Sequence, residues 1–162
     1  NSFDTSTEGV DVVGNMNFDL MSGSSTVTVA FNYNKTEVTD KGSINPISDG
    51  RVSALEDLLP NIKGNVSWSH SQNKWTTLLR ANYYGEWTSA ASGGDVDAAI
   101  LVDAQIAYQL TDNLELVAGV ENLFDEYPDR NPGAGAYGMT YPEDSPFGFN
   151  GGTWYVQGRY AF

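Results

Sequence analysis

The chain has 162 residues, of which 17 are glycine and 12% are aromatic, and this length suffices for one domain of ordinary size. Its 21 acidic and 8 basic residues give a net charge of −13, which argues against nucleic acid or an anionic membrane surface as a partner. The absence of cysteine excludes disulfides, zinc-thiolate sites and thiol nucleophiles.

Apolar and polar residues alternate along much of the chain, and no apolar run approaches the ~18 residues that a membrane helix needs. Alternation with a period of two places apolar side chains on one face of a strand and polar side chains on the other. It runs through Glu8–Leu20 and, after a turn at Met21–Ser25, through Thr26–Asn34. The long loop Lys35–Pro60 follows, and a short helix capped by Ser53 is predicted within it at Ser53–Leu59.

Five further segments with the same alternation follow. They are predicted as strands at Ile62–Ser69, Trp75–Trp87, Val102–Leu110, Leu114–Glu121 and Thr153–Phe162. The expected fold is therefore all-β, an antiparallel up-and-down meander of about seven strands. The first, third and fifth connections are short and the others are longer, an asymmetry that is typical of outer-membrane barrels.

Each strand has one apolar and one polar face, and a membrane barrel turns the apolar face outward to lipid. The apolar faces are about as long as the ~9–11 residues that cross a bilayer as a tilted strand. Aromatic residues are expected to form girdles at the membrane boundaries, and those predicted for this role are Trp68, Trp75, Trp87, Tyr108, Trp154, Tyr160 and Phe162. The alternative is a soluble β-sandwich, a ligand-binding module with the aromatic residues in its core.

Two segments near the end of the chain carry a family resemblance. Val102–Leu110 and Gly119–Pro128, with Glu-Asn-Leu-Phe-Asp-Glu-Tyr-Pro as the most specific match, resemble the C-terminal region of TonB-dependent outer-membrane receptors. The last strand, Gly158–Phe162, is similar to the final strand of that family, and Leu79–Trp87 and Glu8–Asp11 resemble upstream barrel strands more loosely.

The resemblance implies a receptor in the outer membrane of a Gram-negative bacterium, with lipid around it. Such receptors import a small ligand, an iron–siderophore complex, cobalamin or a sugar, through a 22-stranded barrel that holds a plug and takes energy from TonB. Residues 1–162 are then expected to be a C-terminal barrel segment without the plug and the N-terminal strands. Its two unpaired edges are expected to favour self-association. A passive porin-like channel is the alternative within the membrane.

The long loop from Phe124 to Gly152 is the predicted ligand surface, because such loops cover the ligand in the resembling family. The residues predicted to contact a ligand are Arg130, Tyr137, Tyr141, Asp144 and Phe147. A solvated loop that only orders against its neighbours is the alternative for this segment. The Asn122–Asp125 motif is predicted to be structural, because Asn and Asp side chains bond to nearby backbone in turns.

The polar face of the strands is predicted to line the lumen through Arg80, Glu86, Glu121 and Arg159, with cross-strand ion pairing as their default role. No metal site or cofactor is predicted, because Asp125, Glu126 and Asp129 lack the spacing of a calcium loop. His70 stands alone and is predicted to be an ordinary polar residue. No motif for catalysis is present, so the sequence does not predict an enzyme.

Overall fold

A computed structural model describes residues 3–89, 94–131 and 138–162, and most of these residues belong to one antiparallel sheet. The elements in chain order are β1 Asp4–Leu20, β2 Gly23–Asp40, α1 Asp49–Glu56, β3 Ile62–Gln72, β4 Trp75–Tyr84, β5 Trp87–Ser89, β6 Gly94–Val96, β7 Ala99–Thr111, β8 Leu114–Glu121 and β9 Thr153–Tyr160. The seven-stranded sheet has the order β1-β2-β3-β4-β7-β8-β9, and β5 pairs with β6 in a separate hairpin. The predicted all-β, up-and-down meander is confirmed.

Short connections lie at one end of the strands and long connections at the other. Two-residue turns at Met21-Ser22, Asn73-Lys74 and Asp112-Asn113 join β1 to β2, β3 to β4 and β7 to β8. Met21, Ser22 and Asn73 have φ values of 48°, 62° and 55°, the left-handed backbone that tight hairpin turns require. The opposite edge carries the long connections, residues 41–61, 85–98 and 122–152. We call these two ends of the strands the turn edge and the loop edge. The sequence predicts this asymmetry.

The strand register places residues of like polarity side by side across the whole sheet. Directly paired residues point to the same face, so one row of partners identifies a face. One such row runs through all seven strands and is apolar: Met16, Val27, Trp68, Leu79, Ala104, Val120 and Trp154. A row on the opposite face is polar: Asn15, Thr28, Ser67, Arg80 and Asp103.

Much of the apolar face is not covered by other parts of the described chain, although Val120 on this face is only 4% exposed. Val156 is 84% exposed, Trp154 77% and Val10 56%, although all three lie on this face. A β-sandwich would bury these side chains between two sheets. The sandwich alternative is therefore wrong, and the face needs an apolar environment of another kind. No helix in the described ranges is long and apolar enough to cross a membrane.

The first two strands extend further than the alternation of the sequence predicts. β1 has 17 residues and β2 has 18, whereas pairing with β3 ends at Tyr33. Beyond Tyr33, β2 pairs with β1 and with no third strand of the described chain. The Thr7 and Thr36 hydroxyls form a hydrogen bond of 2.9 Å in this part of the hairpin. A strand of this length exceeds the ~9–11 residues that cross a bilayer, so the hairpin projects past its neighbours at the loop edge.

The predicted strand Trp75–Trp87 is wrong at its end. β4 stops at Tyr84, where its pairing with β7 ends at Ala99. The Gly85 N–H still donates to the Ile62 carbonyl at 2.9 Å, one step beyond the last β3–β4 pair. The lumen prediction required Glu86 to lie on a strand of the sheet. Glu86 is instead exposed in the connection that follows β4. Trp87 begins β5 and is only 3% exposed, so its prediction as a girdle residue is also wrong.

The predicted helix exists but begins earlier than Ser53. Ser48 is the N-cap of α1, and its hydroxyl oxygen accepts the Arg51 N–H at 3.3 Å. Ser53 lies inside the helix, and its carbonyl accepts the Asp57 N–H at the C-terminal end, at 2.8 Å. The predicted cap Ser53 is therefore wrong, and Ser48 caps the helix.

Substitutions at two adjacent residues of β9 test which face of the sheet contacts lipid. Val156 pairs with Ala118 on the apolar face, and Gln157 pairs with Val117 on the polar face. We expect Val156→Arg to lower the free energy of unfolding in membranes by about 2–4 kcal/mol, the usual cost of a charge on the lipid side near the midplane. The matched variant Gln157→Arg is expected to cost much less. Urea titration in lipid vesicles measures both, and equal losses would contradict the assignment of the faces.

Candidate functional site

A tight turn begins the longest connection at the loop edge. Asn122 has a φ of 53° and is 6% exposed. Its side-chain oxygen accepts the Glu126 N–H at 2.9 Å, and its side-chain nitrogen donates to the Glu126 carbonyl at 2.7 Å. The Asn122 side chain thus bonds to both backbone polar groups of Glu126. This agrees with the structural role predicted for the Asn122–Asp125 motif.

A line of hydrogen bonds ties this turn to the polar face of the sheet. The Asp103 carboxylate accepts the Asn122 N–H at 3.0 Å and the Asn82 side-chain amide at 3.0 Å. Asn82 in turn accepts from the Asn65 side-chain amide at 2.6 Å. The Arg80 guanidinium lies 4.0 Å from the Asp103 oxygen that accepts from Asn82. The start of the loop is therefore fixed by side chains from β3, β4 and β7.

The end of the loop is held by the same turn. The Asp125 carboxylate accepts the Gly152 N–H at 2.8 Å, one residue before β9 begins. The adjacent Gly151 has a φ of 69°, and a Cβ there would collide with the Tyr127 hydroxyl. Tyr127 stacks on Tyr141 with ring centroids 5.0 Å apart. A hydrogen bond with Asp125 raises the pKa of Tyr127 above its ordinary value.

Aromatic packing holds the far part of the loop against the β5–β6 hairpin. The Phe147 ring lies 5.3 Å from the Tyr84 ring and 5.7 Å from the Trp87 ring, edge-on to the latter. Such edge-to-face contacts are favourable because the positive ring edge meets the negative ring face. The Ser89 hydroxyl also donates to the Asp144 carboxylate at 2.8 Å. The loop is thus anchored at its stem and at this second point.

A cavity of about 260 Å³ lies between the anchored loop and the polar face of the sheet. Its walls combine carboxylates, amides and aromatic rings. The sheet and turn contribute Asn82, Tyr84, Leu101, Asp103, Glu121, Asn122, Glu126 and Thr153, and the loop contributes Phe147, Gly148, Asn150 and Gly151. No basic side chain is in this lining. The cavity can therefore offer many hydrogen-bond acceptors to a ligand and no positive charge.

The residues predicted to bind a ligand are dispersed in the structure. Phe147 lines the cavity, but its ring also packs on Tyr84 and Trp87. Asp144 and Tyr141 have the partners described above, and Arg130 is exposed outside the cavity. Tyr137 lies outside the described residues. The loop aromatics therefore anchor the loop, which the sequence offered as the alternative, and only Phe147 of the described four also reaches the cavity.

Three of the residues predicted to line the lumen share the polar face. Arg159 forms an ion pair with Glu115 of 3.1 Å between direct strand partners near the turn edge, and Arg80 pairs with Asp103. Glu121 lies at the loop edge and lines the cavity. The predicted cross-strand pairing is thus present for both arginines, and exposed pairs of this kind contribute about 0–1 kcal/mol each.

Aromatic residues of the apolar face lie near the turn edge and also near the loop edge, where Phe31, Tyr33 and Tyr83 are found. The Trp75 and Tyr108 rings lie 4.4 Å apart, and those of Tyr160 and Phe162 lie 5.2 Å apart. Trp154 is at the loop end of β9, and Trp68 lies within β3. The lone His70 accepts or donates a hydrogen bond of 2.8 Å with the buried Ser25. It has an ordinary structural partner, as expected of a polar residue.

Sequence reasoning missed several residues that define the cavity, above all Asn82, Asp103 and Asn150. The signal was present for the first two, because both are polar residues near the loop ends of alternating strands. Their adjacency depends on the register between β4 and β7, which the alternation does not fix. Across the described ranges, no three His, Asp or Glu side chains are grouped closely enough to hold a metal ion.

Comparison with known proteins gives a family and a fold. A family model described as "TonB dependent receptor-like, beta-barrel" matches residues 1–123, which contain β1 to β8 and the start of the long loop. No match is found among curated proteins. A solved structure, the ferric citrate transporter FecA in its unliganded form, is similar with a TM-score of 0.60 and 18% identity. The likeness covers 96% of this chain and 29% of FecA, and at this identity it shows the fold alone.

The anchoring role of Phe147 can be tested with Phe149, two residues away, as the control. Phe147 packs on two rings, whereas Phe149 is 40% exposed. We expect Phe147→Ala to loosen the loop by about 1–2 kcal/mol, the value of two aromatic contacts, and Phe149→Ala to have little effect. Limited proteolysis of the receptor in membranes measures cleavage within residues 138–152. Equal cleavage rates in the two variants would contradict the anchoring role.

Proposed function

The chain belongs to the TonB-dependent receptor-like β-barrel family, and on this premise we propose that it forms part of the wall of an outer-membrane importer. The importer takes up a scarce small ligand at the cell surface of a Gram-negative bacterium, with energy supplied through TonB. The observation that carries the proposal is the sheet, in which an apolar row crosses all seven strands on one face and a polar row crosses β1, β2, β3, β4 and β7 on the other. Lipid covers the apolar face, and the polar face lines the lumen.

The orientation follows from the two edges of the sheet. Short turns face the periplasm in barrels of this kind, and longer loops face the outside. The turn edge with Met21-Ser22, Asn73-Lys74 and Asp112-Asn113 is therefore periplasmic. The anchored loop and its cavity then lie on the lumenal side of the outer opening, where a ligand arriving from outside first meets the wall.

Residues 1–162 are proposed to be a barrel segment that works together with further strands and a plug. The chain spans 29% of the length of FecA. β1 and β9 are the two outermost strands of the sheet, each with one side unpaired in the chain as described. In a closed barrel both edges pair with neighbouring strands, which satisfies their backbone groups in lipid. Alone, these edges are expected to drive self-association.

The cavity under the loop supports a receptor role more than a catalytic one. The Asp103 carboxylate in this lining is engaged in hydrogen bonds that fix the loop, and Arg80 lies beside it. The family also consists of receptors. Of the ligand classes that the resemblance implies, an iron–siderophore complex, cobalamin and a sugar, a strongly anionic chelate has no positive partner in this lining.

Energised uptake distinguishes an importer from a passive porin-like channel. We expect cells that carry the natural gene to accumulate at least one labelled probe among ferric citrate, cobalamin and maltotriose. Accumulation is expected to stop when TonB is removed or the inner membrane is uncoupled. Cells with the receptor gene deleted serve as the control. Uptake that needs the receptor and continues without TonB would assign the protein to the passive channels.

A further inference from the structure

Three polar residues interrupt the apolar face near the turn edge. Ser25, His70 and Thr77 are direct partners on β2, β3 and β4, and their row continues on the same face through Ile106, Ala118 and Val156. A polar side chain on a lipid-facing surface is costly unless its hydrogen-bonding groups are satisfied. Contact with hydrocarbon alone therefore does not account for these three residues.

The His70 ring is held in one orientation. Its Nδ1 forms the 2.8 Å hydrogen bond with the Ser25 hydroxyl, and a Cβ at Gly23 would lie 2.8 Å from its Cε1. The Nδ1–Cε1 edge of the ring therefore lies against β2. The ring also stacks on Trp68, with centroids 5.8 Å apart.

The bond to Ser25 determines which ring nitrogen carries the hydrogen. Ser25 is 0% exposed, and among the described residues its hydroxyl has no side-chain partner other than His70. A buried hydroxyl hydrogen needs an acceptor, so Ser25 donates to Nδ1, and the neutral ring then carries its hydrogen on Nε2. The Nε2 of His70 is therefore a hydrogen-bond donor.

This donor is open to the surroundings of the sheet. Neither Nε2 of His70 nor the Thr77 hydroxyl has a hydrogen-bond partner within the described ranges. The only enclosed side-chain nitrogen or oxygen without a partner in those ranges is Nε1 of Trp87, so neither of these two groups is enclosed. Direct strand partners have Cβ atoms about 4.5–5.5 Å apart, so both donors can reach one acceptor group.

The two donors lie at the depth of a membrane boundary. His70 is three residues before the turn residue Asn73, which is about 10 Å along the strand. Because barrel strands are tilted, the distance along the membrane normal is about 7 Å. Trp75 and Tyr108, both predicted for the aromatic girdle, pair one row closer to the turn on the same face.

The local charge favours an anion, although the whole chain has a net charge of −13. Lys74 is exposed in the turn that joins β3 to β4 and forms no ion pair with a described residue. Neither the row of His70 nor the next row toward the turn contains an acidic residue in the described sheet. A phosphate group would therefore meet one cation and two donors without a neighbouring carboxylate on this face.

An apolar depression begins at the same place and extends toward the loop edge. It has a volume of about 490 Å³, and its lining runs from Thr77 to Leu123 beyond the end of β8. The small side chains of Ala104 and Ala118 lie on its two central strands. Larger apolar side chains of β4, β7 and β9 complete the lining: Leu79, Ile106, Trp154 and Val156.

The donors and the depression together restrict the occupant. A metal ion or an ammonium group has no lone pair for the two donors. A free phosphate would accept from the donors and leave the depression unfilled, and a plain hydrocarbon chain would do the reverse. A phospholipid carries an acceptor phosphate and acyl chains in one molecule, so it satisfies both features at once.

We propose that this surface binds one phospholipid of the periplasmic leaflet. Its phosphate accepts from the Nε2–H of His70 and the hydroxyl of Thr77, Lys74 is the neighbouring cation, and one acyl chain lies in the depression. The proposal rests on the proposed function for the lipid around this face and for the periplasmic position of the turn edge.

Mass spectrometry of the intact natural receptor, transferred from detergent with added lipid, measures the binding. Dipalmitoyl phosphatidylethanolamine and dipalmitoyl phosphatidylglycerol are the probes with a phosphate. Dipalmitoylglycerol is the matched probe without a phosphate, and inorganic phosphate is the probe without chains. One molecule of either phospholipid is expected to bind more tightly than dipalmitoylglycerol, and inorganic phosphate is expected not to compete.

Thr77 and Thr76 provide a matched pair of variants on opposite faces. Thr77→Val removes one donor and is expected to lower the phospholipid affinity about fivefold, the usual effect of one hydrogen bond. The Thr76 hydroxyl lies on the polar face, where it forms a hydrogen bond of 3.1 Å with Ser71. Thr76→Val is therefore expected to leave the affinity unchanged.

Two further variants test the other parts of the site. The double variant Ser25→Ala, His70→Phe keeps a ring beside Trp68 and leaves no buried hydroxyl without an acceptor. It is expected to lower the phospholipid affinity about tenfold, because hydrogen bonds to charged groups are about twice as strong as neutral ones. Ala118→Phe occupies the depression from an exposed position and is expected to weaken phospholipid and dipalmitoylglycerol alike.

The results that would overturn the proposal are distinct. Equal phospholipid affinity in the natural receptor, Thr77→Val and the double variant would place the phosphate elsewhere. Dipalmitoylglycerol binding as tightly as the phospholipids would reduce the site to an apolar groove, and competition by inorganic phosphate would make it a site for the free ion. A receptor dimer that releases the lipid would assign this face to a second copy.

Failure of this inference and failure of the proposed function give different results. Phospholipid binding that depends on His70 and Thr77, together with uptake that continues without TonB, would contradict the proposed function and leave this inference standing. TonB-dependent uptake by a receptor whose phospholipid binding ignores both residues would contradict this inference alone.

Discussion

The register of the seven antiparallel strands, which shifts near Asp4 in β1 and near Thr111 in β7, is the constraint on which the rest of the structure depends. A slip of one residue between any two strands would turn apolar side chains to the polar face, because the side-chain period of a strand is two. The row from Met16 to Trp154 crosses all seven strands with apolar partners throughout. A face this exposed and this apolar is stabilised where lipid replaces water, as in a membrane β-barrel.

The same register builds the region at the loop edge. It brings Asn65, Asn82 and Asp103 from three strands into one line of hydrogen bonds that ends at Asn122. The long loop starts from this fixed point, returns to it through Asp125, and rests on β5 through Phe147. Rigid strands thus position an irregular segment, and the cavity lies where that segment meets the sheet.

The sequence predicted the sheet well and the loops poorly, for one physical reason. Alternation reports directly on a two-faced strand, and the predicted strand Leu114–Glu121 agrees with β8 at both ends. The pattern runs on through Gly85 to Trp87, however, because it contains no information on where pairing with β7 ends, which is at Tyr84 and Ala99. The roles of Phe147 and Asp103 depend on contacts between distant segments, which neither periodicity nor a local motif encodes.

The central claim is that the two faces of the sheet meet lipid and lumen, and spin labelling along β9 tests it most directly. The chain has no cysteine, so each introduced cysteine from Thr153 to Tyr160 is its single labelling site. In the receptor in membranes, labels at positions 154, 156 and 158 are predicted to collide mainly with dissolved oxygen, and those at 155, 157 and 159 mainly with a water-soluble nickel complex. Equal accessibility at successive positions, or the reverse alternation, would contradict the account.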